Sequence, residues 1–218
     1  MPGTPLLDNT HAARLSLNGE WHLALAGQEG PVAVPSVWER QGYPLDVEGP
    51  AIYSRQQLIP AEWAGARIML RFGAVSYRAE VRVNGHLAGV HEGLWTTFEF
   101  DVSSLVRPGE INDFELHVIK PGDEGDTYPY REVLVGFIPY VSLTFGGPWR
   151  DIELIAHTAP TWQDVHFSAD WQTGRVDIRA AISDGDPPDG MTAVAEIVDS
   201  AGTVVQRATQ PVTGSDQP

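Results

Sequence analysis

Apolar and polar residues alternate along several short stretches of the chain. In residues 67–72, Ile68, Leu70 and Phe72 share one face, and Arg67 and Arg71 lie on the other. Because successive side chains of a strand point to opposite faces of a sheet, this period of two predicts a β-strand with one buried face. The same alternation predicts strands over residues 80–83, 97–102 and 114–118, and residues 149–155 are a further candidate strand. No stretch sustains the 3.6-residue period of a helix, so the pattern predicts an all-β sandwich.

Turn signals separate these stretches. Asn84-Gly85 follows one predicted strand directly, and this pair favours a two-residue hairpin because both turn positions need φ > 0. The chain holds 22 Gly and 17 Pro, which also favours many short strands joined by turns.

The pattern restarts after a boundary near residues 157–160. Beyond it, short strands are predicted over residues 164–167, 176–182, 193–198 and 203–208. This spacing is typical of an immunoglobulin-like sandwich, but such a domain needs about seven strands and ~100 residues. The sequence therefore predicts a disordered lead-in at 1–13, a first sandwich domain at 14–158 and a partial immunoglobulin-like domain at 161–218.

Charge and composition narrow the classes of partner. The formal net charge is -15, which disfavours nucleic acid and anionic membranes as partners. The first residues, Met1 to Pro5, lack the basic start and apolar stretch of a signal peptide, so a cytoplasmic location is expected. Cysteine is absent, and the histidines show no metal-ligand spacing. We therefore expect no cofactor and assign no metal-ligating residue.

Several motifs occur together in a fixed order in the first domain. They are Leu17-Asn18-Gly19-Glu20-Trp21, Val34-Pro35-Ser36-Val37-Trp38, Tyr77 to Gly85, His91-Glu92-Gly93-Leu94-Trp95, and Gly146-Gly147-Pro148-Trp149-Arg150-Asp151. In this order and spacing, residues 14–157 resemble the N-terminal sugar-binding domain of family 2 glycoside hydrolases. That family includes β-galactosidases, β-glucuronidases and β-mannosidases.

The resemblance implies a galactose-binding-like jelly roll, then an immunoglobulin-like domain, then a (β/α)₈ barrel that carries the catalytic glutamates. The barrel alone needs about 250 residues, so no catalytic residue is assigned within these 218. The candidate carboxylates are Glu92, Glu99, Asp101 and Glu132, and nothing in their spacing forms the pair that a retaining glycosidase needs. We expect the parent enzyme to hydrolyse terminal β-linked sugars with retention, and this chain to be inactive alone.

Four residues are candidates for binding carbohydrate. The resemblance implies that the loop after Lys120 reaches the barrel and supplies a carboxylate, for which Asp123 is the nearest match and Asp126 the next. Trp95 and Trp149 flank loops, where a flat indole ring suits the C–H face of a pyranose. The alternative for each is structural: a solvated acidic turn for the aspartates, and core packing for the tryptophans. Trp21 and Trp38 are expected in the core.

Three functions follow as alternatives. The first is the non-catalytic N-terminal portion of a family 2 glycoside hydrolase, which supports the barrel and lends residues 121–148 to the rim of the active site. The second is a free-standing carbohydrate-binding module or lectin. The third is a purely structural scaffold domain. We also expect self-association, because an incomplete second sandwich exposes strand edges and apolar faces.

Overall fold

A computed structural model of the chain describes residues 12–122, 144–157, 162–182 and 190–212. The chain divides into two compact units, one over Thr10–Thr158 and one that includes Ala159–Pro218. No helix in the described residues is long and apolar enough to cross a membrane.

The first unit contains twelve strands and two short 3₁₀ helices in its described residues. The strands are β1 (Ala12–Ser16), β2 (Gly19–Leu25), β3 (Gln28–Val34), β4 (Ala51–Leu58), β5 (Arg67–Phe72), β6 (Val75–Ser76), β7 (Arg78–Val83), β8 (His86–Glu92), β9 (Phe98–Asp101), β10 (Ile111–Ile119), β11 (Gly147–Pro148) and β12 (Ile152–His157). The 3₁₀ helices are Trp38–Gln41 and Ala61–Trp63.

Two antiparallel sheets form the layers of the first unit. One has the strand order β1-β12-β5-β9, and the other has the order β3-β2-β4-β10-β7-β8. A small ladder of β6 and β11 accompanies them. The buried apolar residues of both sheets form one core cluster, which contains Leu70 and Leu154 from the first sheet and Leu23, Val81 and Leu116 from the second. The predicted all-β sandwich is confirmed.

The alternating stretches form strands with one buried face, as predicted. Along β5, Ile68, Leu70 and Phe72 are each 1% exposed, whereas Arg67 and Arg71 are partly exposed. The predicted hairpin joins β7 to β8, and Asn84 and Gly85 have φ values of 51° and 79°.

Two boundaries differ from those that the sequence predicts. Ala12 and Ala13, placed in a disordered lead-in, pair with His157 and Ala156 in β1 and β12 because the sheet edge offers backbone partners. The strand predicted from Trp149 begins at Ile152 instead. Residues 149–151 precede the first pair of that ladder, between Ile152 and Phe72, and they connect it to β11.

The second unit contains four strands in its described residues. They are β13 (Trp162–Asp170), β14 (Arg175–Ile182), β15 (Thr192–Val198) and β16 (Val204–Pro211). β13 pairs with β14 and β15 with β16, so each pair forms a separate antiparallel ladder. All four overlap strands that the sequence predicts, and hydrogen bonds at Asp199 close the turn between the last two.

Candidate functional site

Three aromatic side chains meet on the first unit. The ring centroids of Trp95 and Trp149 lie 5.3 Å apart, with their planes at 75°. Phe145 packs edge-on against both of them, at 6.1 Å from each. Trp95 is 49% exposed, whereas Trp149 and Phe145 are partly buried. The two tryptophans that the sequence suggests as sugar contacts therefore lie in one cluster, called here the aromatic cluster.

Two contacts fix the indole of Trp149. Its Nε1 donates a hydrogen bond of 3.0 Å to the carbonyl oxygen of Leu94. The guanidinium of Arg150 lies 4.9 Å from the ring centroid, within the range of a cation–π contact. The Trp149 indole N–H is thus already used by the protein, and what the residue offers a ligand is its ring surface.

Trp149 also lines an open cleft of about 460 Å³. The cleft is lined by Pro35, Arg71, Gly73, Thr97, Trp149, Arg150, Asp151 and Glu153. Its charged side chains are two arginines and two carboxylates, so their formal charges cancel. The volume lies within the ~300–1,000 Å³ that is common for ligand sites.

Ion pairs and hydrogen bonds already use part of the cleft's polar groups. Arg71 Nε lies 3.3 Å from Glu99 Oε1, and its Nη1 lies 3.9 Å from Glu153 Oε1. Asp151 accepts a 2.9 Å hydrogen bond from Asn18 Nδ2. The cleft can contact hydroxyl groups through the remaining guanidinium N–H groups and carboxylate lone pairs.

Asp123 and Asp126, the other two candidate sugar contacts, lie outside the described residues, and so does Glu132. The residues that flank them are described and lie close together. The hydroxyl of Thr144 donates a hydrogen bond to the carbonyl oxygen of Pro121. The segment between Gly122 and Thr144 therefore begins and ends at one place on the sandwich.

A buried ion pair lies at this place. Lys120 Nζ is 2.8 Å from Glu39 Oε1, and the two side chains are only 2% and 8% exposed. Lys120 Nζ also donates to the carbonyl oxygens of Leu45 at 2.6 Å and Thr144 at 3.4 Å. The same atom lies 5.5 Å from the ring centroid of Trp38. Lys120 thus has acceptors on the chain both before and after the 123–143 segment.

Glu39 completes the contact with the far end of the segment. The backbone N–H of Gly146 approaches both carboxylate oxygens, at 3.1 and 3.2 Å. The backbone N–H of Trp38 donates to the carbonyl oxygen of Gly146 at 3.1 Å. A Cβ at Gly146 would lie 2.0 Å from the Trp38 ring, so the backbone packs directly on the indole. Trp38 is fully buried, as expected.

Tyr53 is buried beside these groups. Its burial raises the pKa of the phenol above the ordinary value, and the charge of Glu39 and the proximity of Tyr43 raise it further. The phenol is therefore neutral at physiological pH. Among the described residues, neither Tyr53 Oη nor Trp38 Nε1 has a hydrogen-bond partner.

The other candidate carboxylates make surface contacts. Asp101 pairs with Arg67 at 3.0 Å and Glu99 with Arg71 at 3.3 Å, both on the partly exposed face of the sheet. Glu92 Oε1 lies 3.9 Å from Arg78 Nε. These contacts are typical of the charged face of a strand.

The Glu39–Lys120 pair was not among the predicted residues, although the sequence carries a signal for it. Phe114, Leu116 and Val118 are the buried apolar positions of β10, and Lys120 continues their spacing of two. A lysine at a position where alternation predicts burial needs a buried partner. Glu39 lies far away in the sequence, so its identity as that partner depends on the fold.

Comparison with known proteins agrees with this architecture. Residues 12–127 match the family model described as "Glycosyl hydrolases family 2, sugar binding domain". The β-glucuronidase of Felis catus is 27% identical over 228 residues, which covers 93% of this chain and 34% of that relative. The β-glucuronidase of Bacteroides fragilis is 30% identical over 155 residues, covering 66% of this chain and 21% of the relative.

Solved structures share the fold. The β-glucuronidase of Ruminococcus gnavus in complex with D-glucuronic acid superposes with a TM-score of 0.73 at 18% identity, over 97% of this chain and 40% of that one. The chain spans about a third or less of the length of each of the two curated relatives named above. Because the family model covers more than half of its residues, the chain belongs to family 2 of the glycosyl hydrolases, and residues 12–127 are its sugar binding domain.

Proposed function

We propose that this chain is the non-catalytic N-terminal portion of a β-glucuronidase of family 2. In this proposal the whole enzyme hydrolyses terminal β-linked glucuronides with retention, and its catalytic glutamates lie on a barrel outside these residues. The first unit supports the barrel and lends residues 121–148 to the rim of the active site. Support comes from relatives named β-glucuronidase, one of which aligns with 93% of the chain.

The observation that carries the rim assignment is the position of Phe145. It follows Thr144, where the 123–143 segment rejoins the described chain, and it packs against both Trp95 and Trp149. The aromatic cluster therefore lies directly at one end of the segment that bears Asp123 and Asp126. Aromatic rings and carboxylates together suit a pyranose, which presents a C–H face and a rim of hydroxyl donors.

Each residue has a distinct role in this proposal. Asp123, with Asp126 as the second candidate, accepts hydrogen bonds from sugar hydroxyls. Trp95 offers its exposed ring for stacking. Trp149 extends that apolar surface and holds Trp95 in place by edge contact.

The test is to express the complete reading frame that encodes this chain and to assay 4-nitrophenyl β-D-glucuronide against the corresponding galactoside. We expect hydrolysis with a preference for the glucuronide. Trp95→Ala should raise KM roughly 3- to 10-fold, since one aromatic contact contributes about 0.5–1.5 kcal/mol. Trp171→Ala is the matched control, because Trp171 is 88% exposed in the second unit and should leave KM unchanged.

Two results would contradict the proposal. Hydrolysis of neither substrate by the complete protein would remove the enzymatic role. Micromolar binding of a glycan by the 218-residue chain alone would instead favour the alternative of a carbohydrate-binding module, because a site shared with a barrel should bind weakly without it.

A further inference from the structure

Hydrogen bonds between neighbouring stretches of chain hold the walls of the cleft beside Trp149. Gly73, just after β5, donates its N–H to the carbonyl oxygen of Asp151 at 2.8 Å. The hydroxyl of Thr97 donates to the carbonyl oxygen of Gly73 at 3.2 Å. A Cβ at Gly73 would lie 2.8 Å from the Cβ of Arg150, so only a glycine permits this close approach. The cleft is therefore pre-formed, which is usual for ligand sites.

The two carboxylates of the cleft differ in how far their charge is compensated. Glu153 Oε1 lies 2.6 Å from Arg14 Nη1 and 3.9 Å from Arg71 Nη1, so two guanidinium groups compensate it. Asp151 Oδ1 accepts a hydrogen bond from the neutral amide of Asn18. Asp151 Oδ2 has no hydrogen-bond donor among the residues that the structure describes. Asp151 therefore keeps its charge and a free acceptor oxygen.

The two arginines of the cleft differ in the same way. Arg71 lies between Glu99 and Glu153, which hold it by ion pairs. Arg150 is exposed, and its guanidinium makes no hydrogen bond or ion pair within the described ranges of the chain. Its contact there is the ring of Trp149, at 4.9 Å from the centroid. This cation–π contact orients the guanidinium and leaves its N–H groups available to a ligand.

A free guanidinium beside a free carboxylate oxygen selects a ligand with two kinds of group. A guanidinium pairs best with a carboxylate, through two parallel N–H···O bonds. The carboxylate of Asp151 can only accept, so it requires a donor such as a sugar hydroxyl. A simple anion brings no such donor and meets the charge of Asp151 uncompensated. A hexuronic acid carries its carboxylate and its hydroxyl groups on one pyranose ring.

We propose that the cleft is a binding site for a saccharide that carries a carboxylate, of the hexuronic acid class. Arg150 pairs with the carboxylate, and Asp151 accepts a hydrogen bond from a hydroxyl of the same ring. Trp149 holds the guanidinium in place. The inference goes beyond the proposed function, because it concerns what these residues bind by themselves. Binding should be roughly millimolar, since the cleft is open to solvent and one charge-assisted pair competes with water.

The first experiment titrates the 218-residue chain in dilute solution with methyl β-D-glucuronide and, separately, with methyl β-D-glucoside. The glucoside has a hydroxymethyl group where the glucuronide has its carboxylate. In ¹H–¹⁵N NMR spectra at constant ionic strength, the glucuronide should shift the indole N–H of Trp149 and the backbone signals of residues 71–73, 97 and 149–153. The glucoside should bind about tenfold more weakly, because it lacks the charge-assisted pair. Equal binding of the two sugars, or shifts confined to other signals, would overturn the proposal.

A third titration uses sodium acetate, which offers a carboxylate without a ring. We expect acetate to bind about tenfold more weakly than the glucuronide, because it leaves Asp151 without a hydroxyl donor. If acetate shifts the same signals at the same concentrations, the cleft binds anions in general and the inference fails.

Variants of Arg150 test the pairing itself. Arg150→Gln should weaken glucuronide binding about tenfold and leave the response to the glucoside unchanged. Arg150→Lys keeps the charge but loses the bidentate geometry, so its affinity should lie between the two. Because Arg150 is exposed, unchanged signals outside the cleft will show that each variant is folded.

Arg40→Gln is the matched control for net charge. Arg40 is exposed and does not line the cleft, so its replacement changes the charge of the protein equally. We expect it to leave glucuronide binding unchanged. An equal loss of affinity in Arg40→Gln and Arg150→Gln would show that only the net charge matters, and it would contradict the assignment of Arg150.

The titrations and the hydrolysis assay give separate answers. If the chain binds the glucuronide through Arg150 but the complete protein hydrolyses neither substrate, the proposed function fails and the cleft remains a binding site. If the cleft signals do not respond to the glucuronide while the complete protein hydrolyses it, the inference fails and the proposed function stands.

Discussion

At the residue scale, the carboxyl of Asp101 is expected to make the stability of the protein depend on pH. Partial burial raises the pKa of its carboxyl, but hydrogen bonds from the Ser103 hydroxyl and backbone N–H, together with Arg67, lower it more. The result is a pKa below the ordinary value. A carboxylate with a depressed folded pKa adds stability above its unfolded pKa, and that stability is lost as pH falls through the folded pKa.

We therefore expect Asp101→Asn to lower the melting temperature at neutral pH and to flatten its decline below about pH 4. Thermal unfolding followed by circular dichroism over a pH series measures this. Ser103→Ala is the companion variant, because it removes the 2.6 Å hydroxyl contact and should raise the pKa of Asp101. An NMR titration that places Asp101 at or above the ordinary aspartate value would contradict the assignment.

Individual residues differ in how far the sequence predicts them. Trp21 and Trp38 are 3% and 0% exposed, so their assignment to the core is confirmed. The stacking roles of Trp95 and Trp149 stay predictions, although the structure brings the two rings together. The place of Lys120 in the alternation identifies it as unusual from the sequence alone. Its partner Glu39 cannot be identified in this way, because their pairing depends on the three-dimensional arrangement of the sheet and the loops.

At the element scale, the turn of the β7–β8 hairpin allows the energetic cost of a left-handed backbone conformation to be measured separately from side-chain clashes. Gly85 has a φ of 79°, and nothing lies within 4 Å of the position that a Cβ would occupy. Gly85→Ala should therefore destabilise the protein by about 1–2 kcal/mol, through left-handed backbone strain alone.

Chemical denaturation measures that difference. Gly30→Ala serves as the control, since Gly30 lies in β3, has no positive φ, and leaves its Cβ 3.9 Å from the Tyr43 hydroxyl. The control should stay within about 0.5 kcal/mol of wild type. Equal stability of the two variants would show that strain at Gly85 is relieved elsewhere.

Elements with one buried face were predictable because their own sequence encodes that face. β5 occupies the predicted residues 67–72, and the hairpin follows from Asn84-Gly85. The start of β12 was not predictable in this way. Asp151 continues the alternation of Ile152, Glu153 and Leu154, but it bonds to Asn18 through its side chain, and its carbonyl oxygen accepts from the Gly73 N–H. Such partners come from elsewhere in the chain.

At the scale of the whole molecule, the second unit exposes apolar side chains. They include Phe167 at 48%, Ile178 at 42% and Val205 at 61% exposure. An isolated two-stranded ladder is marginally stable in water, and apolar strand surfaces promote pairing between chains. Self-association stays a prediction, and the exposed apolar residues of β13–β16 are the surface on which it can be tested.

We expect the chain to show a mass above that of a monomer in light scattering at high concentration. Replacing Ile178 and Val205 by lysine should reduce that mass. Leu87→Lys is the control, because Leu87 is 53% exposed in the first unit and lies outside these ladders. A monomeric mass at all concentrations would contradict the expected self-association. An equal reduction of the mass by Leu87→Lys would show that the second unit is not its source.

The pairing of β1 with β12 has a consequence for rebuilding the first unit. Ala12 lies opposite His157, so the strand that opens the unit and the strand that closes it are neighbours in one sheet, about 4.7–4.9 Å apart. A short linker could join these two ends, and new termini could be opened at Gly85 in the turn between β7 and β8. The permuted chain would contain the strands in a different sequence order, but every pair of hydrogen-bonded strands would be kept. The first unit by itself should therefore tolerate circular permutation, although in the permuted protein His157 is joined to Ala12 and the second unit must be attached elsewhere.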